Sequence, residues 1–308
     1  MDSGFYAEYS QIETTHWWSL GRRSIFLDLL RGRLAAHPQA RLLDVGCGTG
    51  AMLGLLQPFG TPIGVDVEAS ALGYCRDRGC ERLVQASANA LPFLDATFDL
   101  VTAFDIIEHM DDDVGSLAEL GRVCRDDGQV LLSVPAYSFL WGAQDEISHH
   151  RRRYTRGDLA GRLHAAGLRP ELLTYFNTFL FPIIAGIRLA RRFIPEGDRQ
   201  LRSDFTMTKP GLTNAVLTRI LAAESPFIRS VASHSGCPFS ASPGRWVQSP
   251  SIRRASSPRH LPRDDLCSQA ASAPASARSS RDLHHSAAPS QRFMAAHVCR
   301  NPRASPPD

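Results

Sequence analysis

Apolar residues between positions 41 and 176 fall in short unbroken runs, separated by amphipathic stretches that open and close on turn residues. The run at 41–45 (RLLDV) predicts a strand, and 51–59 (AMLGLLQPF) a helix stopped by Pro58 and Gly60. A second strand follows at 62–67 (PIGVDV), then a helix over 69–79 with Gly79 at its end, then a third strand at 82–87. After the loop 88–97, a fourth strand at 98–106, a helix at 114–125 and a fifth strand at 128–136 repeat the alternation. Thr155 with Asp158 three residues on is a capping pair for a helix over 155–167, and 168–176 reads as a sixth strand. Continuous apolar strands alternating with amphipathic helices predict an open α/β sheet, mostly parallel, with helices on both faces.

The pattern fails near residue 230. From there Ser, Ala, Pro, Arg and His dominate and few large aliphatics remain, so the tail 230–308 reads as disordered. Three regions result: a helical N-terminal segment over 1–40, expected to lie across the ligand edge as a lid; a domain over 41–229; and the tail.

Composition narrows this little. The 308 residues suit one large domain or two small ones, 43% hydrophobic content is that of a soluble protein, and a net charge of +3 gives no reason to expect nucleic acid. The first residues are acidic and polar rather than signal-like, and no apolar run nears the roughly 20 residues of a spanning helix. Seven cysteines form no CxxC pair and no metal spacing, so reduced thiols, no metal and a cytoplasmic location are the expectation.

The chemistry starts at 44–50 (DVGCGTG). In an open α/β sheet, ligands sit beyond the carboxyl ends of the strands, where strand order reverses, and this loop leaves the first strand there. Gly46, Gly48 and Gly50 allow unusual dihedrals and close backbone approach. No Lys-Ser/Thr follows, as a P-loop needs, and the spacing is GxGxG rather than GxGxxG. Asp44 beside the loop would repel a pyrophosphate but suits a cationic amino-acid moiety, and Asp66 ends the second strand where a carboxylate can accept two ribose hydroxyls. A nucleoside with a positively charged, phosphate-free tail is S-adenosylmethionine.

With 41–50, 64–72 (GVDVEASAL), 90–110 and 120–136, the chain resembles the class I S-adenosylmethionine-dependent methyltransferases, whose sheet is Rossmann-like. HWWSLGRRSIF before the first strand and DEISHHRRRYTRGDL after the fifth resemble a bacterial subgroup with HWW…GRR and D…HxRRYT motifs. The resemblance runs from about Tyr6 to about Arg229. It implies that Gly46, Cys47, Gly48 and Gly50 line the methionine and ribose, the cysteine mainly through its backbone. It further implies that Asp66 with Val67 holds the ribose, that Asp44 orients the amino-acid end, and that Phe104 and Asp105 offer backbone. Ser87, beside Ala88, stands where the family often has an acidic residue for the adenine amino group, which implies weaker binding. The family's usual RPGG turn is RDDG at 125–128, on the side of the sheet away from the chemistry.

Methyl transfer is an in-line displacement that needs a base only when the acceptor atom still carries a proton. His109 after the fourth strand, and His150 with Tyr154 after the fifth, are the candidates; packing or capping is the competing reading of each. Asp145, Arg152 and Arg153 suit an anionic or sugar-like acceptor, or equally an ion-pair network over the loop. The sequence DIIEH after strand four lacks the Asn/Asp-Pro-Pro-aromatic turn of base amino methylation, so nucleic acid is disfavoured as partner. The apolar stretch 172–193 reads as a strand and core-covering helix, or as a wall for a lipid-linked acceptor with shallow peripheral membrane contact; Pro182 and its length exclude a span. Trp17 and Trp18 read as packing residues or as part of the lid. Methyl transfer to a small-molecule or lipid-linked acceptor thus leads, ahead of a non-catalytic cofactor binder and, last, a nucleic-acid binder acting through the Arg-rich tail. Oligomeric state is not legible.

The resemblance also implies LPFG and a seventh strand, inserted antiparallel between strands five and six. No such segment is evident after the helical stretch 211–230. Gly236-Cys237-Pro238-Phe239 can be encoded so that a two-base shift begins Leu-Pro-Phe. The expectation is therefore a slipped reading frame between Arg229 and Gly236, with the seventh strand missing.

Overall fold

The computed structural model describes residues 3–34, 39–191, 211–234 and 293–300. Seven strands form one sheet: β1 Ala40–Val45, β2 Gly60–Asp66, β3 Leu83–Gln85, β4 Phe98–Phe104, β5 Cys124–Pro135, β6 Leu168–Phe176 and β7 Phe293–Arg300. Their order is β3-β2-β1-β4-β5-β7-β6. The pairs β3-β2, β2-β1, β1-β4 and β4-β5 are parallel, whereas β7 runs antiparallel to both neighbours.

Neighbouring residues on the central strands serve opposite cores. Leu42, Leu100 and Leu131 pack with Phe26, Leu29 and Leu221. Leu43, Val101 and Leu132 pack on the other face with Leu117, Leu120 and Leu163. Side chains alternate across a strand with period two, so a strand buried on both faces has no polar alternation to show; hence the unbroken apolar runs.

Helices α1 Ser3–Thr15 and α2 Trp17–Leu34 make up the N-terminal segment, and α3 Ala51–Leu56, α4 Ala69–Asp77 and α5 Asp113–Val123 follow strands as expected. After β5 come α6 Ala143–Ile147 and α7 Arg156–Ala165, the latter opened by the Thr155 and Asp158 capping box. α8 Phe181–Arg191 follows β6, and the last helical stretch is two helices, α9 Leu212–Ala222 and α10 Ser225–His234. They part at Glu224, whose carboxylate accepts the amide of Phe179 (2.7 Å). The RDDG segment lies inside β5 rather than before it. Pairing with β4 jumps there from Phe98↔Cys124 to Leu100↔Gln129, at the end of the strand far from the loops described below.

The expected loss of the seventh strand is overturned. β7 pairs Gln129–Pro135 of β5 on one side and Leu168–Phe176 of β6 on the other, and Met294 is fully buried. The tail's average composition concealed one eight-residue run, FMAAHVCR, that can fill the slot. Two facing rows of backbone donors and acceptors select a strand there, since leaving them unpaired inside a sheet is costly. The predicted disorder is likewise wrong for 230–234, which belong to α10, and for 293–300. The remaining tail residues, and the expected frame slip near Gly236, lie outside the described residues.

Candidate functional site

The carboxyl ends of β1 and β4 are adjacent, and beside them lies a partly open pocket. Its walls come from three sources. The end of β1, the loop after it and the start of α3 give Asp44, Gly46, Cys47, Gly48 and Met52; the ends of β2 and β4 and the turn after β4 give Asp66, Phe104, Asp105, Ile106 and His109; the N-terminal helices give Tyr6, Tyr9, Glu13 and Arg22. Gly46 and Gly48 have φ of 71° and 53°, in the left-handed region that favours glycine. They differ in what surrounds them: a Cβ on Gly46 would collide with Ile106, whereas one on Gly48 would meet nothing within 4 Å. Gly50, φ 84°, opens α3 and packs against Cys75.

Asp66 pins this loop. One carboxylate oxygen accepts the Gly48 amide (2.9 Å) and the other the Glu68 amide (2.9 Å). Burial raises its pKa against those amides. Asp105, φ 57°, accepts the Ser133 hydroxyl (2.7 Å) and pairs with Arg22, which lies over the Trp18 ring at 5.9 Å. Glu13 accepts the Thr49 hydroxyl and pairs with Arg78 at 3.7 Å, tying α1 to the glycine loop and α4. Glu13, Asp44, Asp66 and Asp105 thus stand with one guanidinium among the lining residues.

Asp44 carries a pH consequence. Burial pushes its carboxyl up to about 7, opposed by the Thr102 hydroxyl bond (2.7 Å) and Arg22 and reinforced by Glu13 and Asp66. The folded chain then keeps a proton that the unfolded chain releases near pH 4. Because the unfolded state binds fewer protons between about pH 4 and 7, stability falls across that window and levels off above it. Asp44→Asn removes the dependence. Urea unfolding should show the variant gaining on the wild type from pH 4 to pH 7, by on the order of a few kcal/mol; parallel curves would mean that Asp44 titrates normally.

The expected cofactor residues Asp44, Gly46, Cys47, Gly48, Asp66, Phe104 and Asp105 meet in this pocket. Gly50, Val67, Ser87 and Ala88 are not in the lining; Val67 and Ser87 are exposed and Ala88 is buried. Of the three side chains expected to move a proton, His109 alone lines the pocket. Tyr154 is buried, its hydroxyl donating to Asp113 (2.9 Å), which also pairs with Arg152 at 2.9 Å. Arg153 grips Asp145 twice (2.8 and 2.9 Å) and the Ala136 carbonyl once (2.9 Å). For Asp145, Arg152 and Arg153 the geometry is that of the ion-pair network, not of groups offered to an acceptor. His150 joins it through Nδ1 to Asp145 (2.9 Å). Trp18 stacks on Phe176 and packs with Trp17 in the core, apart from the pocket lining.

Sequence reasoning missed Tyr6, Tyr9, Glu13 and Arg22. Arg22 stood inside the HWW…GRR motif, the one available signal; the other three lie in a helix with no distinguishing pattern.

Residues 43–132 match the methyltransferase domain family. Among curated relatives, the malonyl-[acyl-carrier protein] O-methyltransferase of Enterobacter lignolyticus is 33% identical over 49% of this chain and 62% of its own. The phosphatidylethanolamine N-methyltransferase of Cereibacter sphaeroides is 35% identical over 33% of this chain and 55% of its own. The ubiquinone/menaquinone biosynthesis C-methyltransferase of Stenotrophomonas maltophilia is 40% identical over 30% of this chain and 41% of its own. The chain therefore spans less than two thirds of each of these three relatives. The matched segment 43–132 supplies the glycine loop, Asp66 and the β4 side of the pocket.

Proposed function

We propose that this protein transfers a methyl group from S-adenosylmethionine to a small-molecule or lipid-linked acceptor. The observation that carries the reading is the set of acidic side chains in the pocket: Glu13, Asp44, Asp66 and Asp105 beside one guanidinium, around a glycine loop whose backbone at Gly48 is open; burial raises the first three, and a bound cation would favour their charged forms. That is a cradle for a cationic nucleoside and a poor one for a phosphate. Asp66 would hold the ribose and Gly46–Gly48 the backbone-facing edge, while Arg22, Glu13 and Asp105 would meet the amino-acid end. When bound, the cofactor supplies an activated methyl group, and the chain's task is to align an acceptor atom behind it and exclude water.

The relatives named above are, by their names, methyltransferases of malonyl-[acyl-carrier protein], of phosphatidylethanolamine and of ubiquinone/menaquinone biosynthesis, and this variety supports a small-molecule or lipid-linked acceptor without selecting one. On the surface of α8, Ile183, Ile187 and Leu189 are exposed, and Phe179 stands just before the helix, facing Phe227 at 5.5 Å. Among the described residues no helix is long and apolar enough to cross a membrane. This face suits a lipid tail or a membrane surface.

Calorimetry with S-adenosylhomocysteine tests the reading. Asp66→Ala removes a charge-assisted acceptor worth roughly 1.5–3 kcal/mol, so affinity should fall by about 10- to 100-fold. Cys47→Ala, which leaves the loop backbone in place, should stay within about threefold of wild type by the same conversion. Equal affinities for wild type and Asp66→Ala would sink the assignment.

A further inference from the structure

Behind the pocket, Glu108, His109 and His150 form a buried cluster in which one ligand atom from each lies within 4.8 Å of the others. Glu108 is fully buried, and neither carboxylate oxygen has a hydrogen-bond partner among the other described residues; the same holds for His150 Nε2. A carboxyl group buried without donors from other residues is costly to hold as an anion.

The imidazole is set for more than packing. His150 Nδ1 lies 2.9 Å from Asp145, which Arg153 holds as a carboxylate with two hydrogen bonds. Nδ1 therefore carries a proton, and in the neutral imidazole Nε2 presents a lone pair. That lone pair faces Glu108 Oε1 at 3.9 Å. Two acceptors facing each other in a dry interior repel unless something positive lies between them. The backbone enforces the meeting: the Arg151 amide donates to the Glu108 carbonyl (3.1 Å), and the His150 amide to the Asp145 carbonyl (2.8 Å). The His109 ring packs edge-on against His150 at 4.9 Å and also lines the pocket.

We propose that Glu108, His109 and His150 are the protein ligands of a divalent first-row transition-metal ion, such as zinc, manganese or ferrous iron. Two imidazoles and one carboxylate are a recurrent ligand set for these ions. Metal–ligand bonds of about 2.0–2.2 Å put ligand atoms roughly 3–4.3 Å apart, within small side-chain rotations of the arrangement here. The Asp145–His150 bond is the outer-shell carboxylate that orients a metal-bound imidazole and fixes its tautomer. Arg153 explains why Asp145 stays charged in that role. The inference rests on the cluster alone and stands whether or not methyl transfer is the activity.

The test uses the full chain, stripped with a chelator and titrated with Co²⁺ while visible d–d absorption is followed, with Zn²⁺ competition and metal analysis of the eluted protein. One equivalent should bind with micromolar or tighter affinity. Glu108→Gln, which keeps the volume and removes the charge, should weaken binding at least 30-fold, and S-adenosylhomocysteine affinity measured beside it reports separately on the nucleoside pocket. If that variant does not fold, Zn²⁺ titration of the wild type with ¹⁵N-histidine labelling replaces it, and the ring signals of His109 and His150 should shift together. No stoichiometric binding to the wild type, unchanged binding in Glu108→Gln, or ring signals that do not move would each overturn the site.

Discussion

A chain ending at Arg292 should fail to hold its sheet. Such a truncation removes β7 and with it the pairing of Gln129–Pro135 on one side and Leu168–Phe176 on the other. Each buried backbone group left without a partner costs about 1–3 kcal/mol, and a whole domain is stable by only about 5–15 kcal/mol. Two strands' worth of lost pairing exceeds that margin. The freed edges would also present long apolar strands, β5 being buried through Val130–Val134, which favours edge-to-edge aggregation. The truncated protein should be largely insoluble, and any soluble fraction should show rapid amide exchange along β5. Full solubility, an unchanged melting temperature and protected β5 amides would show that residues 293–300 contribute nothing. That outcome would restore the reading of the tail as a segment foreign to the fold.

Arg153→Leu should destabilise the protein by about 3–5 kcal/mol, the range found when one partner of a buried ion pair is removed. Both side chains of the Arg153–Asp145 pair are fully buried, and three of the arginine's hydrogen bonds are lost at once. Asp145 would lose both guanidinium hydrogen bonds while keeping its full charge, with the Gly142 amide (2.8 Å) and His150 still bound to it. Urea unfolding reads the loss. Adding Asp145→Leu should recover part of it, because the orphaned carboxylate, not the missing guanidinium, is the larger cost. A single-variant loss below about 1 kcal/mol would place the pair in the class of exposed surface bridges.

Local signals were legible in the sequence. The apolar runs gave six strands, the Thr155–Asp158 spacing gave a helix start, and Gly46, Gly48 and Asp66 marked residues that line the pocket. Each depends on the conformational preference of a few consecutive residues, or on a spacing that one strand and one turn convert directly into geometry.

Only the folded chain decided the rest. The N-terminal helix brings Tyr6, Tyr9 and Glu13 to the pocket, and Arg22 meets Asp105 across most of the domain. His150 faces Glu108 because backbone bonds fold the loop after β5 back onto the turn after β4. Asp145 and Arg153, adjacent to the site in sequence logic, are turned to each other because a buried charge binds its partner before any ligand. β7 is the clearest case. FMAAHVCR has no strong strand signal of its own, and it is a strand because β5 and β6 leave a gap that only an extended chain can satisfy. Sequence fixes what the nearest residues do; partners distant in sequence are chosen by the unmet donors, acceptors and charges that the assembled fold presents.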